Sequence, residues 1–199
     1  VCSSDLNLDG TIVTANDNFL ATVGYTLDEI KGQHHRMFCE PALATSVEYS
    51  AFWAKLNRGE FDTGVYKRIG KGGKEIWIQA VYAPVSDEMG RPVKVVKIAT
   101  DVTAEVTATR MLREAVEQAQ KVTTAAKAGD LTQRIPLEGK SGPIAALCEG
   151  VNTLTETTAV ILNDIGRVIG SQAAGDLSQR ITRDYEGQFA QLRNDANAS

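Results

Sequence analysis

Hydrophobic and polar residues follow two rhythms along this chain, and the change falls near Glu105. Before it, apolar residues come in short bursts punctuated by glycine. Asp9-Gly10 followed by the β-branched run Thr11-Ile12-Val13-Thr14 predicts a hairpin. Asn16 and Asp17 supply a helix N-cap ahead of Phe19, Leu20 and Val23, and Gly24 ends that helix. Thr26, with Glu29 three positions on, forms a capping box for a second short helix closed by Gly32. Phe52, Trp53 and Leu56 stand at helical spacing before Gly59. Three strands follow, over 63–69, 75–84 and 93–98, separated by turns at Lys71-Gly72-Gly73-Lys74 and Asp87-Glu88-Met89-Gly90. Within 76–82 apolar residues take both parities, so this strand is expected to be covered in part on both faces. A hairpin, short helices and a three-stranded meander make an α+β domain with one antiparallel five-stranded sheet.

After Glu105 the period lengthens. Ala108, Leu112, Ala115, Ala119, Val122 and Ala126 follow alternating steps of four and three. Ile144, Leu147, Val151, Leu154, Thr158, Ile161, Ile165 and Val168 do the same over a longer span, which is the seam of a coiled coil. The chain offers no separate apolar helix of equal length to cover them, so parallel self-association is expected. Between the helices the string Ala128-Gly129-Asp130-Leu131-Thr132-Gln133-Arg134-Ile135 returns, with one Thr-to-Ser change, as Ala174-Gly175-Asp176-Leu177-Ser178-Gln179-Arg180-Ile181. Asn152 and Asn197 continue the correspondence. Such a period marks a repeated supersecondary unit. Gly129 should end a helix and Pro143 begin the next, with Leu131 and Ile135 tucked into the bundle. Arg134 and Arg180 are expected to cap the connectors or lie in solvent.

Composition narrows the function. The chain has 199 residues, 43% hydrophobic and 23% charged, with a net charge of −4, so it lacks the basic footprint of a nucleic-acid or anionic-lipid binder. Cys2, Cys39 and Cys148 are scattered and odd in number, which fits a reducing compartment rather than a disulfide framework. No stretch reaches the ~18–20 apolar residues of a membrane span, so a cytoplasmic segment is expected, whatever the full-length protein does. No phosphate loop or nucleophile–base pattern suggests an enzyme, since Lys71-Gly72-Gly73-Lys74 is flanked by expected strands and reads as a hairpin turn. Residues 1–6 are expected to be a non-native leader outside the fold. His34-His35-Arg36-Met37-Phe38-Cys39 gathers potential haem ligands. Adjacent histidines diverge in any regular element, however, and no second cluster completes a zinc site.

The ordered set Asp9-Gly10, Ala15-Asn16, Gly24-Tyr25, Glu29, Gly32, Gly70-Lys71-Gly72-Gly73-Lys74, Trp77, Pro84-Val85, Gly90, Lys97 and Asp101-Val102-Thr103 resembles the PAS sensor domains of bacterial methyl-accepting chemotaxis receptors. Helix, Gly-Asp-Leu connector and parallel helix resemble a HAMP domain, here in two copies, with Glu186-Gly187 matching the family and Ser141-Gly142 departing from it. The resemblance implies a PAS domain over 7–103, a helical linker over 104–122, a first HAMP-like unit over 106–160 and a truncated second over 161–199. It implies a homodimer joined through its helices and, in the full-length protein, a chemotaxis histidine kinase and coupling protein as partners. A histidine kinase or nucleotide cyclase output is the alternative. The cofactor stays unknown: FAD and haem are both possible, neither favoured over an empty or small-molecule pocket. The resemblance places Asn16 and Trp53 at positions tied to a flavin pocket, and His34 and His35 are the haem candidates. Asp101 and Thr103, with Gly129, Asp130, Leu131, Gly175, Asp176 and Leu177, are the expected signal relay.

Overall fold

The computed structural model describes residues 1–198, which form two units that divide after Ala108. In the first, five antiparallel strands make one sheet in the order β2-β1-β5-β4-β3. They are β1 (Cys2–Leu6), β2 (Ile12–Ala15), β3 (Asp62–Ile69), β4 (Glu75–Ser86) and β5 (Pro92–Asp101). Helices α1 (Asp17–Val23), α2 (Leu27–Ile30), α3 (Pro41–Ala44) and α4 (Val47–Asn57), with a 3-10 turn at His35–Phe38, lie between β2 and β3 in sequence.

The local signals fold as their chemistry dictates. Asn16 accepts the Phe19 N–H to cap α1, and Gly24 closes it in the left-handed region (φ 76°). Both halves of the Thr26–Glu29 capping box form. Gly10 turns the first hairpin at φ 88°, and a Cβ there would lie 2.7 Å from His34 Cε1 and 2.9 Å from Trp53 Cζ2. Only glycine serves both the turn and the close approach.

Two expectations change. Residues 1–6 do not stand outside the fold. Cys2–Leu6 is an inner strand, paired with β2 through Ser4↔Ala15 and with β5 through Cys2↔Ala99, Ser4↔Lys97 and Leu6↔Val95. The backbone edges of β2 and β5 both need a partner there, and Cys2, Ser4 and Leu6 alternate into the core. The second change concerns β4. Ile76, Ile78, Ala80 and Tyr82 are buried, whereas on the other parity Trp77 is half-buried and Val81 is 41% exposed, so the second face is covered only near the start of the strand.

The second unit is built on helices α5 (Thr103–Lys127, which starts in the first unit), α6 (Gly142–Ala173) and α7 (Gly187–Ala198). It contains two small cores. Ala115, Val122, Ile135 and Cys148 form one; Val168, Ile181 and Ala196 form the other. Much of the seam remains uncovered within one chain: Leu112, Leu147 and Leu154 are 50%, 60% and 64% exposed. A groove of about 210 Å³ lined by Leu112, Val116, Ala119, Leu147 and Val151 opens on that face. No helix among the described residues is long and apolar enough to cross a membrane.

Candidate sensory site

The interior of the first unit is aromatic with a polar centre. β-strand alternation sends Asp62, Tyr82, Lys97 and Ser4 to the inner face, and their registers align them in one row across the sheet. Tyr82 and Lys97 are fully buried. The 3-10 turn carries His35 to the same place. Its Nδ1 lies 3.0 Å from Tyr49 Oη and its Nε2 3.1 Å from Tyr82 Oη. Arg68 Nη2 donates to that Tyr82 oxygen at 3.2 Å, and Nη1 donates to the Lys67 carbonyl at 2.7 Å. Burial, with the charges of Arg68 and Lys97, holds the His35 imidazolium far below its usual pKa, so the ring is neutral. Burial likewise pushes the Tyr49 and Tyr82 phenols and the Cys39 thiol up.

The expected site residues separate in this geometry. His35 is a core residue whose two ring nitrogens are both occupied by tyrosine hydroxyls, and a haem iron would have to displace one of them. His34 is half-buried, and its Nδ1 accepts the Arg36 N–H to cap the 3-10 turn. Trp53 is buried beside both histidines and meets His34, His35, Tyr49 and Phe52 edge-on, with no hydrogen-bond partner for its indole N–H. Asn16 is committed elsewhere: Oδ1 takes the Ser3 and Phe19 N–H groups and Nδ2 donates to the Val1 carbonyl. The contacts around Trp53 and the histidines therefore form one group, and those of Asn16 another.

Sequence reasoning missed Arg68 and Lys97 as central groups. The signal lay in parity. Val95 and Ala99 must face the core, which forces Lys97 inward and leaves Ile98 53% exposed.

At the exit of the sheet, Asp101 and Thr103 come together. Thr103 Oγ1 donates to Asp101 Oδ1 at 2.6 Å and the Thr103 N–H donates to the same oxygen at 2.9 Å. The Trp77 N–H donates to Thr103 Oγ1 at 2.9 Å, and the Val102 N–H donates to the Trp77 carbonyl at 2.8 Å. The first turn of α5 is thus fastened near the start of β4.

The two connectors repeat their bonding as well as their sequence. Gly129 and Gly175 leave the helices at φ 89° and 86°. The N–H groups of Asp130 and Asp176 donate back to the Ala125 and Ser171 carbonyls, both at 2.9 Å. The Asp130 carboxylate takes the Thr132 hydroxyl, the Thr132 N–H and Gln133 Nε2; Asp176 takes the same groups of Ser178 and Gln179. These bonds hold both carboxyls below the usual range. Arg134 and Arg180 donate to the Leu131 and Leu177 carbonyls, both at 2.7 Å. Asn152 then clamps Ile135, accepting its N–H at 2.7 Å and donating to its carbonyl at 2.9 Å. Asn197 clamps Ile181 in the same way, at 2.7 and 3.0 Å. Ile135 and Ile181 are the buried anchors, whereas Leu131 is half-buried and Leu177 is 63% exposed. Leucine is therefore not the residue that tucks in; the clamp fixes the isoleucine backbone instead.

Residues 12–99 match the family described as PAS fold, and residues 139–199 match the HAMP domain family. The second match takes in α6, the second connector and α7. The chain is 46% identical over 98 residues, 49% of its length, to the biofilm dispersion protein BdlA of Pseudomonas aeruginosa. It is 33% identical over 138 residues, 68% of its length, to the methyl-accepting chemotaxis protein McpB of the same species. It is 34% identical over 85 residues, 43% of its length, to the aerotaxis receptor of Escherichia coli. These alignments span 24%, 19% and 17% of the three relatives.

Proposed function

We infer that this chain, which carries a PAS fold followed by a HAMP domain, is the sensor-and-relay segment of a chemotaxis-type receptor. The PAS unit takes the input, as redox state, oxygen or a small ligand, and the helices of a homodimer carry it to a signalling domain beyond this segment. The observation that carries the reading is the fastening of α5 to β4 through Trp77, Thr103 and Asp101. A shift of β4 or β5 moves the start of a helix that runs on for 25 residues. Helices packed through small residues such as Ala115 and Ala119 separate two arrangements by little energy, so such a shift redistributes them.

The first Gly-Asp-Leu unit acts as a second HAMP-type relay. Its support is the shared bonding of the connectors: the same carboxylate cradle, the same arginine-to-carbonyl bond and the same asparagine clamp. Dimerisation has its own support in the uncovered leucines of α5 and α6, since a parallel partner would bury the face that one chain leaves open. The likeness to a methyl-accepting chemotaxis protein and an aerotaxis receptor supports a chemotaxis-type output; the partners proposed for the full-length receptor are a chemotaxis histidine kinase and its coupling protein, and the position proposed for this segment is cytoplasmic.

Sedimentation of the chain tests the dimer. The wild type is expected to sediment as a dimer at micromolar concentration, and Leu147→Lys with Leu154→Lys to yield a monomer with an intact PAS unit. A wild type that stays monomeric at the highest attainable concentration would overturn the reading.

A further inference from the structure

We propose that the interior of the PAS unit binds a small organic carboxylate with an apolar body, its carboxylate held by Lys97 Nζ and Arg68 Nε. This rests on the PAS unit being the sensory input and names the chemical class of what it takes. Lys97 and Arg68 are 0% and 4% exposed, yet Lys97 Nζ and Arg68 Nε have no hydrogen-bond partner. Lys97 Nζ lies 4.3 Å from the centre of the Phe19 ring and 5.5 Å from that of Tyr82. The Arg68 guanidinium lies 4.9 Å over the Tyr66 ring and spends its other two nitrogens on the Lys67 carbonyl and Tyr82 Oη.

No carboxylate answers these cations. Asp62 stands in the same row of the sheet but is committed to Lys55 Nζ and Tyr66 Oη, each at 2.6 Å. The other titratable groups coupled to Arg68 and Lys97 include each other, His35, Tyr49, Tyr82, Cys2 and Cys39, and none of them is a carboxylate. An unpaired buried ion costs several kcal/mol, and proteins ordinarily supply it with a counterion. Burial, and then the neighbouring guanidinium, push the Lys97 ammonium down to about 7, as expected of a cation without one.

The open valences define the ligand. Lys97 Nζ and Arg68 Nε are both donors, so what is missing is an acceptor. A fixed guanidinium beside an amine that an anion would keep protonated asks for an anion, and a guanidinium edge suits the two oxygens of a carboxylate. The surroundings define the rest of the molecule. Phe19, Tyr66 and Tyr82 wall the cations with rings. In the next row of the inner sheet face Ala99 and Ala80 carry only methyl groups, and the Tyr66 ring lies over Gly64. An apolar body beside a fixed anionic head fits such a lining.

Calorimetric titration of the full chain with benzoate, and with the neutral isostere benzamide, tests the proposal. Benzoate is expected to bind at least tenfold more tightly than benzamide, and Lys97→Met or Arg68→Met each to weaken it tenfold or more while circular dichroism stays unchanged. Equal binding of the two probes, no benzoate binding at millimolar concentration, or undiminished binding by Lys97→Met would overturn it. Should the variants fail to fold, the 13Cε resonance of Lys97 in the wild type decides: benzoate must move it and benzamide must not, and a resonance unmoved by benzoate refutes the site. A chain that dimerises through its helices but ignores benzoate loses this ligand class and keeps the sensor–relay reading.

Discussion

The two units solve the problem of burying apolar surface in different ways. In the PAS unit seventeen buried apolar residues form one continuous core, from Cys2 on β1 to Ala99 on β5. In the helical unit the cores hold four and three residues, and large side chains such as Leu147 and Leu154 face outward. A sheet with helices on one face closes its core within one chain; a helix–connector–helix repeat closes half of one. The difference supports the roles proposed for them. The first unit is closed by its own chain, whereas the helical unit leaves open the face that a partner helix would cover in the proposed dimer. Beside these small cores, polar clamps at Asn152 and Asn197 fix the connectors.

This contrast can be broken from either side. The largest effect should come from Phe38→Ala, which empties a site in contact with Phe19, Tyr25 and His35. A cost of about 3–5 kcal/mol is expected in urea unfolding of the PAS unit, with the sedimentation of the helical dimer unchanged. A parallel loss of the dimer would mean that the units are one cooperative block.

A smaller effect, of opposite sign, is expected from Lys97→Met. It removes an unpartnered buried amine while keeping its stem, and should stabilise the unliganded PAS unit by about 1–3 kcal/mol. The pH dependence follows from the same group. Its folded pKa of about 7 lies below the ordinary value near 10.5, so between these values the unfolded chain holds the extra proton. Wild-type stability should therefore rise from pH 7 towards pH 9, and Lys97→Met should flatten that rise. Urea midpoints across this range provide the check.

The smallest effect belongs to the connector. Asn152→Ala strips both bonds from the Ile135 backbone and should cost about 1–2 kcal/mol. It should speed amide exchange at Ile135 and leave Ile181 protected, because each clamp serves its own copy. Equal deprotection of both would show that the repeats do not act as separate modules.

The architecture was largely legible in the sequence where the determinants are local. The Thr26–Glu29 capping box, the Gly10 and Gly24 turns and the steps of four and three in α6 depend on neighbours within a few residues. The first strand was not legible. Val-Cys-Ser-Ser-Asp-Leu has no strong β pattern, and its place is fixed by two edges, one of them on β5 nearly a hundred residues later. The sensory centre was half legible. The paired histidines drew attention for their ligand chemistry, but His35 turned out to be the hub of a tyrosine network. Arg68 and Lys97 look like solvated charges until the register of β3, β4 and β5 is known, because parity alone turns them inward. In the relay, the repeated string pointed to the connectors, yet the clamping role of Asn152 and Asn197 emerged only with their pairing to Ile135 and Ile181.

The central claim is that the PAS unit governs the helices through the Trp77–Thr103–Asp101 fastening. The most direct test is the distance between spin labels across the dimer, with Asn163→Cys as the labelling site and the three buried native cysteines replaced. The account predicts that Thr103→Val or Asp101→Ala, by releasing α5 from β4, shifts or broadens that distance distribution while the PAS unit stays folded. A distribution identical to that of the wild type in both variants would contradict it.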